Sequence, residues 1–391
     1  MGPAFVAAIA YVDPGNVATN LSAGAQHGYL LVWVVVLANA MAVVVQYLSA
    51  KLGVVTGSTL PELLGERLDG PARRLYWLQA EVTTAATDVA EVIGGAIALQ
   101  ILFELPLFLG GLVVGLVSMA VLDVQSRRGQ RPFEFVVIGF LAVIGVGFGV
   151  GLLVSPVDWA GTAGGLVPGL AGPDTVLLAA GIIGATVMPH AVYVHSGLAR
   201  DRHGRSSDLT RIARLLRATR FDVVAALAVA GGINLAMLLM AAGALRGVPG
   251  TDSIEGAADA IGTHLGTGIG ILFGVALLAS GLASTAVGCH AGAAITAGLL
   301  HVRVPLLLRR SITLVPALVL LVSGVDATWA LVISQVVLSF GITFALIPLA
   351  WYTSRPELMG SFTNRRILQV ASVLVTTIVV SLNVVLLALA V

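Results

Sequence analysis

A single cysteine, Cys289, in 391 residues excludes internal disulfides and leaves the redox compartment unmarked. Its neighbour His290 points about 100° away around a helix, so the two do not make a metal pair. Charge is equally scarce. Asp, Glu, Lys and Arg make up 10% of the chain against 58% apolar residues, with a mean hydropathy of +0.99. A soluble protein has no means of covering that much apolar surface. No connection is long enough to hold a soluble domain, which argues against a metal-responsive receptor with a signalling module. No basic region precedes Ala8-Ile9-Ala10, so its likeness to a secretory cleavage site is rejected. Position 6 is Val, not the Ser or Thr that N-myristoylation of Gly2 requires. The chain is expected to start close to the membrane and to need no obligatory protein partner.

What is present is apolar length. Runs of roughly 18 to 25 residues recur from end to end, each long enough to cross a hydrocarbon core about 30 Å thick. Spans are expected near 3–26, 30–55, 75–102, 106–124, 133–154, 173–199, 221–245, 267–300, 305–323, 327–352 and 366–390. The fold class is therefore an all-α integral membrane protein of eleven helices. The segments 155–173 and 246–266 are expected to be outer loops rich in Gly and Pro. GVGFGVG at 145–151 has no lysine or acidic partner and lies inside a span, so close helix packing explains it better than a phosphate loop.

The few basic residues are placed unevenly. Lys51, Arg67, Arg73, Arg74, Arg127, Arg128, Arg131, the arginines from Arg200 to Arg220, Arg303, Arg309, Arg310, Arg355, Arg365 and Arg366 fall at or near alternate connections. Only Arg246 falls at one of the others. Short loops rich in Lys and Arg stay in the cytoplasm, which puts the amino terminus inside and the carboxyl terminus outside a cell membrane. The series from Arg200 to Arg220 is a topology signal touching lipid and not a nucleic-acid surface.

One stretch breaks the apolar pattern. AYVDPGNVATN at 10–20 puts a carboxylate, a proline and a glycine inside the first span, and ATVMPHAVYVHS at 185–196 repeats Ala-x-Val-x-Pro in the sixth. An odd number of spans separates the copies, so the two halves have opposite orientations. That is the mark of an inverted repeat, about 1–155 and 173–352, with an extra helix at about 366–390, the whole chain 1–391 forming one membrane domain. Proline lacks an N–H and clashes with the carbonyl four residues earlier, here Ala10 for Pro14 and Ala185 for Pro189. Both spans should unwind, near Asp13–Asn16 and Ala185–Pro189, with the two breaks facing each other. Non-helical backbone at that depth is tolerated where it lines a cavity. The Asp13 carboxylate, the Asn16 amide, the Met188 thioether and the freed Ala10 and Ala185 carbonyls suit a cation, either a divalent metal or a proton.

These motifs resemble the Nramp (natural resistance-associated macrophage protein) metal-ion transporters. DPGN at 13–16 and MPH at 188–190, followed by Tyr193 and His195-Ser196, look like the signatures of that family's first and sixth helices. TDVAEVIG at 87–94, ASG at 279–281, Arg309-Arg310 and SQVVLS at 334–339 extend the likeness over the chain. The resemblance implies a LeuT-type 5+5 inverted repeat plus an eleventh helix, and proton-coupled uptake of Mn²⁺ or Fe²⁺ as cargo, with no resident cofactor. It also implies metal ligation by Asp13, Asn16, Met188, Ala10 and Ala185, joined by Gln335 in some states. Ala191 and Leu282-Ala283 depart from the polar residues usual at those places.

Spacing adds a proton route. Glu81 and Asp88 are seven residues apart, within about 20° on one helical face, and Glu91 lies about 60° around. His190, Arg202, Arg309 and Arg310 are candidates to pair with these acids, and a static salt-bridge lattice is the competing reading. In the resembling family a related network carries protons from the metal site toward the cytoplasm, and His195 would line the metal's exit. The alternative function is a LeuT-type carrier of amino acids or other organic solutes, which would want half-helix amides free for a carboxylate and no thioether beside an acid.

Overall fold

The computed structural model describes residues 2–128 and 130–390, apart from the side chains of 123–133, 389 and 390. The expectation for Arg127, Arg128 and Arg131 therefore falls on side chains outside the described residues. Every regular element among the described residues is helical. In chain order they are α1 (Pro3–Ala8), a 3-10 turn (Ile9–Val12), α2 (Pro14–His27), α3 (Val32–Thr56), α4 (Leu60–Arg67), α5 (Gly70–Phe103), α6 (Leu107–Arg128) and α7 (Gln130–Val154). Then follow α8 (Trp159–Gly164), α9 (Pro173–Thr186), α10 (Pro189–His203), α11 (Leu209–Ala244), α12 (Ile254–Leu265) and α13 (Thr267–Leu300). The chain ends with α14 (Leu306–Ser323), α15 (Ala327–Thr353), α16 (Pro356–Met359), a second 3-10 turn (Gly360–Phe362) and α17 (Arg366–Ala390).

Nine helices among the described residues are long and apolar enough to cross a membrane, α9 and α10 counting as one interrupted span. The shorter apolar segments Pro3–Val12, which leads into α2, and Leu107–Leu122 of α6 supply the remaining two of the eleven expected spans. Three segments differ from the sequence reading. α11 begins at Leu209, so the arginines from Arg211 to Arg220 ride on a helix that Asp208 caps by accepting from the Thr210 and Arg211 amides. The outer connection before α13 contains α12, capped by Ser253 accepting from the Gly256 amide. Between the second and third spans lies α4, opened by a capping box in which Thr59 and Glu62 satisfy each other's amides. In each case a polar cap starts a helix where composition alone reads as loop. Burial pulls the Glu62 carboxyl upward, but the Thr59 hydrogen bonds and the Arg200 guanidinium outweigh it and hold the group below its ordinary value. Arg200 closes this contact at 2.7 Å, tying α10 to α4.

The packing of the halves is reciprocal. α2 lies on α11 while α10 lies on α3, so the half-helix following each proline packs on the helix that follows the other one. α5 and α13 run against each other along their length, and α9 packs on α15. Small residues permit these approaches, as expected where lipid offers no hydrophobic drive to pull helices together. Within 145–151, a Cβ on Gly147 would sit 2.7 Å from that of Ala276 on α13, which bears out the packing reading of that stretch.

A tight approach to backbone at the centre is Gly184 of α9, where a Cβ would fall 2.0 Å from the Gln335 carbonyl oxygen of α15. Backbone has nowhere to go. Gly184→Ala is expected to cost about 1–3 kcal/mol of stability, the usual penalty of overpacking, read as an earlier melting transition in detergent. Gly139→Ala, with nothing within 4 Å of the added methyl, should melt no earlier than wild type. Equal melting of the two variants would show that α9 and α15 are not in this contact.

Candidate functional site

The two proline-bearing spans break inside one buried volume. α1 tightens into the Ile9–Val12 turn, Asp13 is extended at φ −71° and ψ 169°, and Pro14 restarts the helix at its first position. In the sixth span α9 stops at Thr186, Val187 leaves helical geometry, and Met188 at φ −71° and ψ 126° precedes Pro189. The second break lies where Ala185–Pro189 predicts it. The first lies at Asp13, the opening residue of the predicted stretch, because Pro14 is tolerated at a helix start and makes 14–16 the opening turn of α2 rather than unwound chain.

Asp13 and Met188 thus hold equivalent places, each capping a half-helix with proline next. The caps differ in kind. Asp13 Oδ1 accepts from the Asn16 amide at 2.8 Å and from Asn16 Nδ2 at 2.7 Å. Its Oδ2 is buried with no hydrogen-bond partner. Met188, fully buried, makes no capping bond, and a thioether does not replace the oxygen that helix N-termini select. Helix formation does not account for a methionine there.

Asn16 joins the two breaks. Its Nδ2 also donates to the Ala185 carbonyl at 3.0 Å, and its Oδ1 accepts from Thr186 Oγ1 at 3.4 Å. Gln335 of α15 lies over Gly15, where a Cβ would come within 1.8 Å of its Nε2. That nitrogen donates to Ser334 Oγ at 3.1 Å, and the buried Oε1 has no partner. Asp13, Asn16, Ala185 and Gln335 are therefore gathered by side-chain contacts, and Ala10 sits in the 3-10 turn leading into them. Two later carbonyls of the first break are already taken. Tyr11 O accepts from Asn234 Nδ2 at 2.7 Å and Val12 O from Ser280 Oγ at 2.6 Å. Sequence reasoning missed Asn234 as a partner, although a lone buried amide in a long apolar helix is a signal; Ser280 was visible only as part of ASG. Among the described residues no three His, Cys, Asp or Glu side chains cluster as metal ligands do, so one carboxylate with neutral donors is the chemistry on offer.

The acids of α5 do share a face. A Cβ on Gly288 of α13 would meet Glu91 Oε1 at 3.2 Å and Asp88 Oδ1 at 3.3 Å, so both carboxyls rest against the same glycine. Arg310 of α14, wholly buried, approaches Asp88 Oδ1 at 3.8 Å and donates from Nε to Ser118 Oγ at 2.8 Å. Arg309 pairs with Glu81 at 2.8 Å, its guanidinium lying where Gly292 leaves room on α13. One turn beyond Glu91, the position of a Gly94 Cβ is 2.0 Å from that of Pro14, so the acid row ends at the first break. His190 Nδ1 lies 3.3 Å from Thr87 Oγ1 on the same face, and its Nε2 has no partner.

One expectation changes. Arg202 pairs with Glu134 of α7 at 3.3 Å and not with the α5 acids, because it stands at the far end of α10, more than three turns beyond Pro189. His195 is buried, with Nδ1 2.5 Å from Gln46 Oε1, and the same Gln46 donates to the Tyr11 hydroxyl. This links α10 back to the first break through Gln46, a residue the sequence reading passed over. Ala191 is buried and apolar, so the polar group usual there is replaced by packing alone.

A family model described as natural resistance-associated macrophage protein-like matches residues 4–389. The divalent metal cation transporter MntH of Mycobacterium tuberculosis is 58% identical over 386 residues, covering 99% of this chain and 90% of that protein. Among solved structures, the Eremococcus coleocola manganese transporter superposes with a TM-score of 0.89 at 31% identity, over 98% of this chain and 85% of that one. MhsT in complex with L-phenylalanine, at 13% identity and a TM-score of 0.61 over 98% of this chain and 97% of that one, shares the LeuT-type fold alone. A match from residue 4 to residue 389, with both DPGN and MPH at the helix breaks, settles the relationship: this chain belongs to the Nramp family.

Proposed function

We propose that this chain imports divalent transition-metal ions, Mn²⁺ or Fe²⁺, together with protons across the cell membrane by alternating access. The observation that carries the reading is the meeting of the two breaks: Asp13 Oδ2 and Gln335 Oε1 are buried and unpartnered beside the Ala185 carbonyl and the uncapped Met188 position. Asp13, Asn16, Met188, Gln335 and the Ala10 and Ala185 carbonyls would hold the metal as cargo, not as a resident cofactor. The relatives named as divalent metal cation and manganese transporters support the substrate class. The amino terminus faces the cytoplasm and the carboxyl terminus the outside. The repeats 1–155 and 173–352 rock about the fixed site, with α17 outside both.

The proton route is the row Asp13, His190, Asp88, Glu91 and Glu81, with Arg310 and Arg309 as fixed counter-charges. Arg202 drops out of it, and His195 lines the exit through Gln46. Two carboxyls, Asp88 and Glu91, face one guanidinium, so the cluster is one positive charge short of neutrality, a deficit a mobile proton can fill. A LeuT-type amino-acid carrier is the competing reading. It needs half-helix amides open to an anionic substrate, and here Asp13 already occupies the amide of Asn16 and adds a negative charge.

The direct test is Mn²⁺ uptake into proteoliposomes with and without an inward proton gradient. Uptake several-fold faster with the gradient is expected, with no flux of amino acids. Amino-acid flux without metal uptake would reverse the assignment.

Asp88→Asn keeps the side-chain shape but removes its charge. Proton flux is expected to fall by about tenfold or more, a change of roughly 1.4 kcal/mol in the relevant barrier, while Mn²⁺ binding stays within about twofold. Lost metal binding with intact proton flux would place Asp88 in the wrong role.

Met188→Ala leaves the carboxylate, amide and carbonyl oxygens in place, a set suited to hard ions. Thioethers are scarcely used by Mg²⁺ and Ca²⁺ but tolerated or favoured by Mn²⁺, Fe²⁺ and Cd²⁺. The variant should still carry Mn²⁺, lose about tenfold in Cd²⁺ affinity, and become open to Ca²⁺ competition. Radiolabelled Mn²⁺ uptake against excess Ca²⁺ decides it, since equal resistance in both proteins would reduce Met188 to packing.

A further inference from the structure

Away from the breaks, a cavity of about 810 Å³ lies between α3, α11 and α17. The proposed transport path makes no use of it. Apart from Ala213 and Leu216 at the start of α11, its lining sorts in the same way on all three helices. On α3, Lys51 lies about two turns past Val43, toward the end of the helix. On α11, Arg217 and Arg220 precede Val224, and at α17 Arg365 precedes Leu368 and Ala371. The cations therefore collect at one mouth and the apolar side chains extend inward from it.

Lys51 makes this more than a basic rim. It is the chain's only lysine, is 5% exposed, and donates to Asn364 Oδ1 at 2.6 Å. No carboxylate of the described residues lies in salt-bridge reach of it, nor of Arg217, Arg220 or Arg365. A buried ammonium with one neutral acceptor is costly unless an anion meets it. The outer wall is open to the bilayer, with Ile367 86% and Val224 46% exposed. What fills an apolar groove on that surface has acyl chains, and what satisfies its mouth is negatively charged.

We propose that this groove binds an anionic phospholipid from the leaflet at the arginine-rich end. The phosphate sits among Lys51, Arg217, Arg220 and Arg365, and an acyl chain runs along Val43, Val224 and Leu368. Each cation near a membrane surface contributes about a fivefold change in affinity for an anionic lipid. The lysine, held by Asn364, also couples the lipid to the connection that fixes α17 against α3.

The test uses the full chain in neutral detergent, titrated with phosphatidylglycerol, with phosphatidylcholine of the same chains, or with soluble glycerol 3-phosphate. Native mass spectrometry reads binding and the melting transition reads its consequence. Phosphatidylglycerol is expected to bind about tenfold or more tightly than phosphatidylcholine and to delay melting, with glycerol phosphate alone inert. Lys51→Met should weaken that binding about fivefold or more, and the double variant Arg217→Gln with Arg220→Gln, at exposed positions that leave folding intact, should do the same or more. Equal affinity for the two lipids overturns the proposal, as does binding unchanged in the double variant. So does full occupancy by glycerol phosphate, which would make the site one for a soluble anion.

Discussion

Backbone amides and carbonyls in a hydrocarbon core must find partners within the protein, and everything central in this fold follows from where that requirement is interrupted. Pro14 and Pro189 each end a helical hydrogen-bond ladder at mid-span. The repair is specific at every group described. Asn234 takes the Tyr11 carbonyl, Ser280 takes the Val12 carbonyl, Asn16 takes that of Ala185, and Asp13 takes the amide of Asn16. Four polar side chains in an apolar chain are thus held in place by what they repair. A consequence is rigidity: a side chain already bonded to a broken backbone end presents its remaining atoms in a fixed direction. The unpartnered Asp13 Oδ2 is such an atom.

The acids of α5 meet a second form of the same constraint, since charge needs compensation as much as backbone does. Two helices meet it. α13 contributes no charge at all but only space, with Gly288 beneath Asp88 and Glu91 and Gly292 beneath Arg309. α14 contributes the two guanidiniums, each against a different acid. A side chain on either of those α13 glycines would require the Asp88 and Glu91 carboxyls or the Arg309 guanidinium to shift. The close α5–α13 packing and the buried charge row are therefore one design and not two.

Much of this was legible in the sequence because it rests on local rules. Proline spacing located both breaks, period 3.6 aligned Glu81 with Asp88, and apolar runs of membrane length marked the spans. What was not legible depends on distance in space. Nothing in the run around Asn234 says that it will meet Tyr11, 223 residues away, and Arg202 was assigned to the wrong acids because sequence gives charge but not which end of α10 faces which helix. The first break is shorter than the expected Asp13–Asn16 for a different reason. Proline disrupts the turn before it and favours the one after, so Gly15 and Asn16 are helical and Asp13 alone of that stretch is extended. The helices α4 and α12 were missed because they lie in connections too short to span a membrane, although α12 does carry a helical period in Ile254, Ala257, Ala258 and Ile261.

The repeat explains why the two breaks are alike in backbone, and it leaves open why they differ in side chain. Two aspartates, one at each cap, would satisfy both half-helices and would repel each other in a volume shared through Asn16. With Met188 in the second place the site holds a single carboxylate, so under the proposed function a bound divalent ion leaves one unit of positive charge uncompensated locally. The nearest remedy is α5. It touches Pro14 through Gly94, one turn from Glu91, and its carboxyls Asp88 and Glu91 face only one guanidinium, that of Arg310. An arriving metal ion and a departing proton then act on the same electrostatic balance from opposite ends of a contact between α2 and α5. Under the proposed function, coupling between cargo and proton would rest on the asymmetry of one carboxylate and one thioether across a symmetric pair of breaks, which makes the charge of one depend on the other.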